Sequence, residues 1–397
     1  MSSQLDLGCE HVRGLLESVL QLDSSKVHVE QLQQVKAELP GRMSAKGPNP
    51  EDSVRSTWRR SDKKDWTYHH WIIDTLNIHH ANLDESIPKH AKSEKIPYVK
   101  QWSHHLFVLF HALSALVVHQ ALVEITGYRE PSRWIIGVYY FIAYQVTLAQ
   151  EVRILRRLAH AYGFLDGDEH ERNDIPDVGV PRAAASLFKT LGFRIIMTLL
   201  VAYNPSQTPF DAMSSPSWWV WLCVKIGAYP VVLDFWFYWY HRMMHEVPSL
   251  WRFHRKHHLI KHPVPLLSAY ADDEQEFLDM VGIPLITYFT LYAFGCRLGY
   301  YDWFVVHQYV TYTEAWGHSG LRLYTTPPST VDWLLSMFNL ELTIEDHDLH
   351  HRKGWRKSHN YGKQTLLWDS VFGTSIGRIE ATKDNIDTAH GVRMPLI

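Results

Sequence analysis

From about residue 100 onward, long apolar stretches alternate with polar ones rich in histidine, and each apolar stretch has the length scale of a helix. Residues 106–125 (LFVLFHALSALVVHQALVEI) supply the roughly 20 residues that a bilayer core demands. A second stretch runs from Trp134 to about Gln150. Residues 191–203 are apolar but short, with Lys189 just before and Arg194 inside, which suits an interfacial segment or the start of a tilted helix. Residues 218–240 (WWVWLCVKIGAYPVVLDFWFYWY) are long enough to cross and carry aromatic residues at both ends, as membrane interfaces favour. Residues 280–295 and 302–316 read as a hairpin joined by CRLGYY. The pattern predicts an all-α integral membrane protein with about four to six membrane helices.

Ahead of these spans the pattern changes. Residues 9–39 read as two short amphipathic helices, with Leu15, Leu16, Val19, Leu20 and Leu22 on one and Val29, Leu32, Val35 and Leu39 on the other. Residues 41–64, rich in Gly, Pro, Ser and charge, read as a linker, with order resuming near Trp66. The following YHHWIIDTLNIHH reads as a membrane-surface segment whose histidines, His79 and His80 among them, face water. Four regions result: 1–65 with the amphipathic helices and linker, 66–230 with membrane helices and loops, 231–380 with the clustered chemistry, and a tail at 381–397.

Composition refines this picture in three ways. The 16 Trp, 20 Tyr and 16 Phe concentrate in the apolar stretches, while the polar first hundred residues dilute the average hydropathy. Net charge is −3 and basic residues are scattered, which argues against a nucleic-acid partner. Three cysteines, Cys9, Cys223 and Cys296, are too few for a disulfide framework or a thiolate metal site. The first residues lack a basic segment followed by an apolar core, so no secretory signal is expected. Lys92, Lys95 and Lys100 precede the first span and Arg153, Arg156 and Arg157 follow the second, which places both flanks, and the histidine clusters, in the cytosol.

Those clusters carry the chemistry: HRMMH (His241, His245), HRKHH (His254, His257, His258) and HDLHH (His347, His350, His351). Residues i, i+3 and i+4 share a helix face, so each box can aim several ring nitrogens at one region. Scattering 26 histidines at random over 397 positions gives roughly 0.1 copies of HxxHH, and this chain has two. Neutral imidazole suits iron, copper, nickel and zinc alike. Eight histidines exceed what one four-coordinate zinc uses, so two metals with open positions are the simplest expectation. A redox-active pair beside lipid-facing helices could activate O2 and attack an unactivated C–H bond. Asp234, two helical turns before His241, and Asp346, beside the third box, are candidates to accept a hydrogen bond from a ligand's second ring nitrogen; Glu345 and Asp348 could serve likewise.

The run DFWFYWYHRMMH, FHRKHH, WGHSG, EDHDLHH and HNYGKQTLLWDSVFGT, from about Asp234 to Gly377, resembles the fatty acid hydroxylase and sterol desaturase superfamily. Its HSG and HDLHH details are similar to sphinganine C4-hydroxylases and C4-methylsterol oxidases. The resemblance implies an endoplasmic-reticulum enzyme with two non-haem iron ions, using O2 and electrons from NAD(P)H passed through a separate partner such as cytochrome b5 and its reductase, since no HPGG-type cytochrome b5 segment is present. It makes the eight box histidines ligands and adds His318. The family also tends to place a histidine after a tyrosine downstream of the second box, where this chain has AYADDEQEF. Asp272 stands there, so either Asp272 completes the shell, nearby His262 substitutes, or one metal position differs. The substrate implied is an apolar small molecule entering from membrane lipid, hydroxylated or desaturated. Two other classes compete: a histidine-rich metal transporter or store, disfavoured because the boxes follow the ends of spans, and a zinc hydrolase, for which no HExxH pair exists.

Overall fold

The computed structural model describes residues 49–397, so the amphipathic helices expected within 9–39 lie outside the described residues. Helix α1 (Tyr68–Leu76) precedes a short strand, β1 (Ile96–Val99), and then α2 (Gln101–Thr126), α3 (Arg133–Tyr162), α4 (Val180–Ala202), the short α5 (Pro209–Met213) and α6 (Pro216–Glu246). After these come α7 (Pro248–His258), α8 (Asp273–Phe277), α9 (Ile283–Ala293), α10 (Tyr300–Gly317), α11 (Asp332–Met337), α12 (Ile344–Lys353) and α13 (Leu367–Val371), and the chain closes with β2 (Ile386–Val392). Helix dominates because the apolar runs are rich in Leu, Ala and aromatic residues and broken mainly at Gly and Pro.

Among the described residues, three segments are long and apolar enough to cross a membrane: Gln101–Thr126, Asp177–Ala202 and Pro216–Glu246. Their outward faces stay apolar, with Val117, Val118 and Leu122 on α2, Ile196 and Leu200 on α4, and Val220, Trp221 and Val224 on α6 all exposed, a patch that only lipid would cover. The weakly apolar 191–203 segment extends backward into α4. Arg194 escapes lipid by turning inward, where its guanidinium lies 3.5 Å from Glu314. Helix α3 spans 30 residues, apolar and exposed at Ile135, Val138 and Ile142 but polar at its far end, where Arg153 and Arg156 bind the carbonyls of Leu76 and Asn77. Among the described residues, the count by length and composition alone is three, and α3 adds a fourth long helix with an apolar exposed half.

The hairpin expectation needs correction. The first arm is helical: α8 runs through a π turn (Leu278–Gly282) into α9, one continuous helical stretch over 273–293. Helix α10 is buried from Tyr300 to Trp316 and is the post against which α2, α3, α4 and α6 pack. Its apolar residues are core, and periodicity cannot tell a core helix from a lipid-facing one.

The linker expectation also fails in its second half. Trp58 is buried, its indole donates to the Ile175 carbonyl at 3.1 Å, and Asp177 accepts from the Thr57 and Trp58 amides. His79 is buried beside Trp58 instead of facing water, and His80 lies 3.7 Å from Asp174. Trp58→Ala should destabilise the protein by about 3–5 kcal/mol, read as a lowered unfolding midpoint in detergent. An unchanged midpoint would restore the linker reading. The C-terminal tail is likewise tied down: β2 pairs in parallel with β1, and Met394 is buried.

Candidate metal centre

The inner end of α6, all of α7, the C-terminal cap of α10 and helix α12 bring the nine expected histidines together, every one of them buried. They form two adjoining pockets. One ring nitrogen from each of His241, His245, His254, His258 and His350 lies within 4.8 Å of the others; the same holds among His257, His318, His347 and His351. The partition follows helical geometry. In α7 the i, i+4 pair His254 and His258 serves the first pocket and His257 the second; in α12 the pair His347 and His351 serves the second and His350 the first. The pockets touch through His258 and His351, whose rings stack at 4.7 Å.

Local sequence explains why these helices hold still. Pro248 at the start of α7 breaks the chain away from α6, so α7 can return its histidines toward His241. Helix α12 begins with a reciprocal cap in which Asp346 accepts from the Thr343 amide and hydroxyl, and Arg378 clamps the same carboxylate at 2.8 Å. Glu345 accepts the amides of Glu380 and Ala381, and Asp348 is paired with Arg172 and Arg352. Gly320, just past His318, is held at φ +59°, and the Arg172 guanidinium occupies the space a Cβ would need. The WGHSG element thus requires glycine at its end.

Ring orientation comes from backbone carbonyls. Nδ1 of His241 donates to Tyr361 O at 2.7 Å, His245 to Trp355 O at 2.6 Å, His350 to His359 O at 2.6 Å, His351 to Ile260 O at 3.0 Å and His318 to Glu314 O at 2.9 Å. Asp234 and Asp346, expected to orient rings directly, do not touch one. Asp234 accepts instead from the amides of Lys363, Gln364 and Thr365 and from the Thr365 hydroxyl, holding the loop that presents the Tyr361 carbonyl. Asp346, Glu345 and Asp348 anchor α12 as a body.

A carbonyl can only accept, so each of those rings carries its proton on Nδ1 and offers a lone pair from Nε2. His254 Nδ1 donates to Gln275 Oε1 at 2.9 Å, and its Nε2 then faces His241 Nε2 at 2.9 Å, lone pair to lone pair. That contact is repulsive unless a cation lies between the rings. In addition His245 Nε2, His257 Nδ1, His258 Nδ1, His347 Nδ1 and His351 Nε2 are buried without a hydrogen-bond partner. Burial lowers the ring pKa of His254 to about 4, and burial with neighbouring imidazoles holds His257, His258, His347 and His351 well below the ordinary value. The rings are neutral at pH 7, as metal ligation requires. The residues present fit two metal ions.

Asp272 is not among them. It stands just before α8 and makes ion pairs with Lys256 at 3.0 Å and Arg182 at 3.3 Å, which hold it away from both pockets. Nor is His262: it stacks on His170 and lies 3.4 Å from Asp166, whose carboxylate also binds Lys92 and Arg352. This third group, Asp166, His170 and His262, already holds cations of the chain's own. Sequence reasoning missed Gln275, buried in α8 and paired with His254, because one glutamine in DDEQEF carries no spacing signal. Gln275→Leu should leave the His254 Nδ1 proton without an acceptor and weaken metal binding in the first pocket by about 10–100-fold, measured by chelator competition. Unaltered affinity would remove Gln275 from the site.

Residues 226–374, which hold both pockets, match the family model for fatty acid hydroxylase. The fatty acid hydroxylase vlmA of Lecanicillium sp is 46% identical over 316 residues, 78% of this chain and 86% of that protein. The chain belongs to the fatty acid hydroxylase family. It is an oxidoreductase and a membrane protein. Methylsterol monooxygenase 2-2 of Arabidopsis thaliana is 32% identical over 208 residues, 49% of this chain and 70% of its own length. The ornithine lipid hydroxylase OlsE of Rhizobium tropici is 23% identical over 238 residues, 60% of this chain and 67% of its own. No solved structure matches the chain.

Proposed function

We propose that the two pockets hold two iron ions and that the protein hydroxylates, or by altered oxidation desaturates, an unactivated C–H bond of a lipid, sterol or other apolar metabolite, using O2 and electrons from NAD(P)H. His241, His245, His254, His258 and His350 hold one ion; His257, His318, His347 and His351 hold the other. The observation that carries this reading is nine buried, neutral imidazoles with lone pairs converging on two adjoining points. Iron at such a centre supplies O2 reduction and C–H oxidation, which side chains do not perform. The chain's own part is positioning. Carbonyls of the 355–361 loop fix the first-pocket rings, Gln275 fixes His254, and burial keeps bulk water away from the ligands. Relatives named for fatty acid, methylsterol and ornithine lipid chemistry support an apolar substrate delivered from the bilayer.

Electrons come from a separate donor, cytochrome b5 and its reductase or an equivalent, and the centre faces the cytosol from the endoplasmic-reticulum membrane. The support for this orientation is that Lys92, from the basic flank, and Arg352, from α12, bind the same Asp166 carboxylate, so basic flank and pockets share one end of the bundle. The test compares iron-loaded with metal-stripped protein in membranes given NADPH and O2, followed by untargeted mass spectrometry. A product gaining one oxygen marks hydroxylation; one losing two hydrogens marks desaturation. Zinc as the bound metal, or no iron-dependent product, would sink the proposal.

A further inference from the structure

The segment between α10 and α12 takes a path that the metal centre does not require. It leaves the pocket end of the bundle at Pro327, whose carbonyl accepts from Gln101 at the start of α2, and returns at Leu340, whose carbonyl accepts from the Leu366 amide. Between these points it reaches far along α6. The Thr330 hydroxyl donates to the Cys223 carbonyl at 2.7 Å, and Thr330 and Val331 press on Gly227 so closely that a Cβ there would meet them at 2.6 and 2.9 Å. Cys223 precedes His241 by 18 residues of continuous helix, about 27 Å. The aromatic ends of α6, Trp219 and Trp239, stand about 30 Å apart by the same rise, the thickness of a hydrocarbon core. Thr330 therefore docks only about 6 Å, four residues, from the far aromatic end.

Backbone at that depth survives only if its polar groups are satisfied within the protein. Much of the segment meets this condition: Pro327 and Pro328 have no N–H, the Ser329 hydroxyl accepts from the Val331 amide and the Ser329 carbonyl from Asp332, and Val331 O accepts from Leu334 and Leu335. The residues facing outward up to Phe338 are apolar, and polar Asn339, which contacts Lys383, marks the return to water. Trp333 (65% exposed), Leu334 (41%), Met337 (67%) and Phe338 (62%) are uncovered, and Asp332, the sole charge from Thr325 to Leu340, borders the inner void with Pro230 and Tyr309.

We propose that residues 327–340 form a re-entrant element, inserted into the hydrocarbon region from the side that bears the histidine pockets, with Trp333, Leu334, Met337 and Phe338 against acyl chains. Lipid is the favoured occupant because the face continues the exposed Val220, Trp221 and Val224 of α6, and four side chains are too small a patch for a stable dimer. The inference does not depend on the iron or the reaction.

The test uses full-length protein with Cys9, Cys223 and Cys296 replaced by serine, carrying a nitroxide label at Met337→Cys or, separately, Phe338→Cys, in phosphatidylcholine nanodiscs. Val224→Cys on α6 and Ala389→Cys on β2 are the lipid and water controls. Relaxation by O2 should exceed relaxation by an aqueous nickel chelate at 337 and 338, as at 224, with the reverse at 389. Nickel access at 337 and 338 with 224 protected would overturn the re-entrant path alone; nickel access at 224 as well would overturn the crossing of α6 and the proposal with it. Protection from both reagents with spin–spin broadening would assign the face to a second copy and also overturn it.

Discussion

His350→Ala should lower product formation by at least about 100-fold while membrane insertion and the unfolding profile stay near those of the parent. The ring sits where the two pockets meet: its Nε2 lies 3.0 Å from His258 Nε2, its Nδ1 is committed to the His359 carbonyl, and the His347 ring stacks beside it at 5.6 Å. Alanine removes a ligand from the first pocket and leaves four imidazoles there, so iron measured after a chelator wash should fall as activity does. His170→Ala is the control, since that imidazole is half exposed and belongs to neither pocket. Turnover retained by His350→Ala, or lost equally in His170→Ala, would refute the assignment of ligands.

Asp234→Ala should cost the fold more than any ligand substitution. The carboxylate is fully buried within α6 and accepts four hydrogen bonds, at 2.8, 3.0, 3.0 and 2.7 Å, from Lys363, Gln364 and Thr365. Each buried donor left without an acceptor costs about 1–3 kcal/mol, and three of these are backbone amides that cannot turn toward water. Loss of several kcal/mol, on the order of the whole marginal stability of many domains, should appear as a sharply lowered midpoint in detergent. The 361–365 loop would loosen with it, so the His241 ring would lose its Tyr361 anchor and iron occupancy should fall in parallel. Asp234→Ala protein with a parental midpoint and full iron would show that the loop holds itself. The pair of variants separates two kinds of failure: His350→Ala loses chemistry on an intact scaffold, and Asp234→Ala loses the scaffold first.

The boxes were legible because imidazole at i, i+3 and i+4 on a helix has few uses besides a metal. The residues that support them were not. Asp234 was singled out for the right reason, an acid inside an apolar helix needs a partner, but the partner is a loop some 130 residues later that no spacing rule points to. Gln275 and the carbonyls of Trp355, His359 and Tyr361 are invisible in sequence, since any residue offers a carbonyl and only the fold decides where it points. Asp272 illustrates the opposite error: its position after Tyr270 suggested a ligand, yet Lys256 and Arg182, close in space, hold it away from both pockets. The 302–316 stretch reads as one arm of a hairpin of spans because burial in protein and burial in lipid leave the same apolar signature.

By itself the sequence determined that this chain is helical, that it enters a membrane, and that its imidazoles gather for metal, because hydropathy and helical spacing are local properties written residue by residue. Tertiary structure alone decided which of the nine histidines share each of the two pockets. It also decided which nitrogen of each ring faces inward, and that α10 is a core post while 327–340 turns back along α6. Those outcomes depend on contacts between segments tens to hundreds of residues apart, where the energy of each hydrogen bond and packed side chain is set by a partner that no local pattern names.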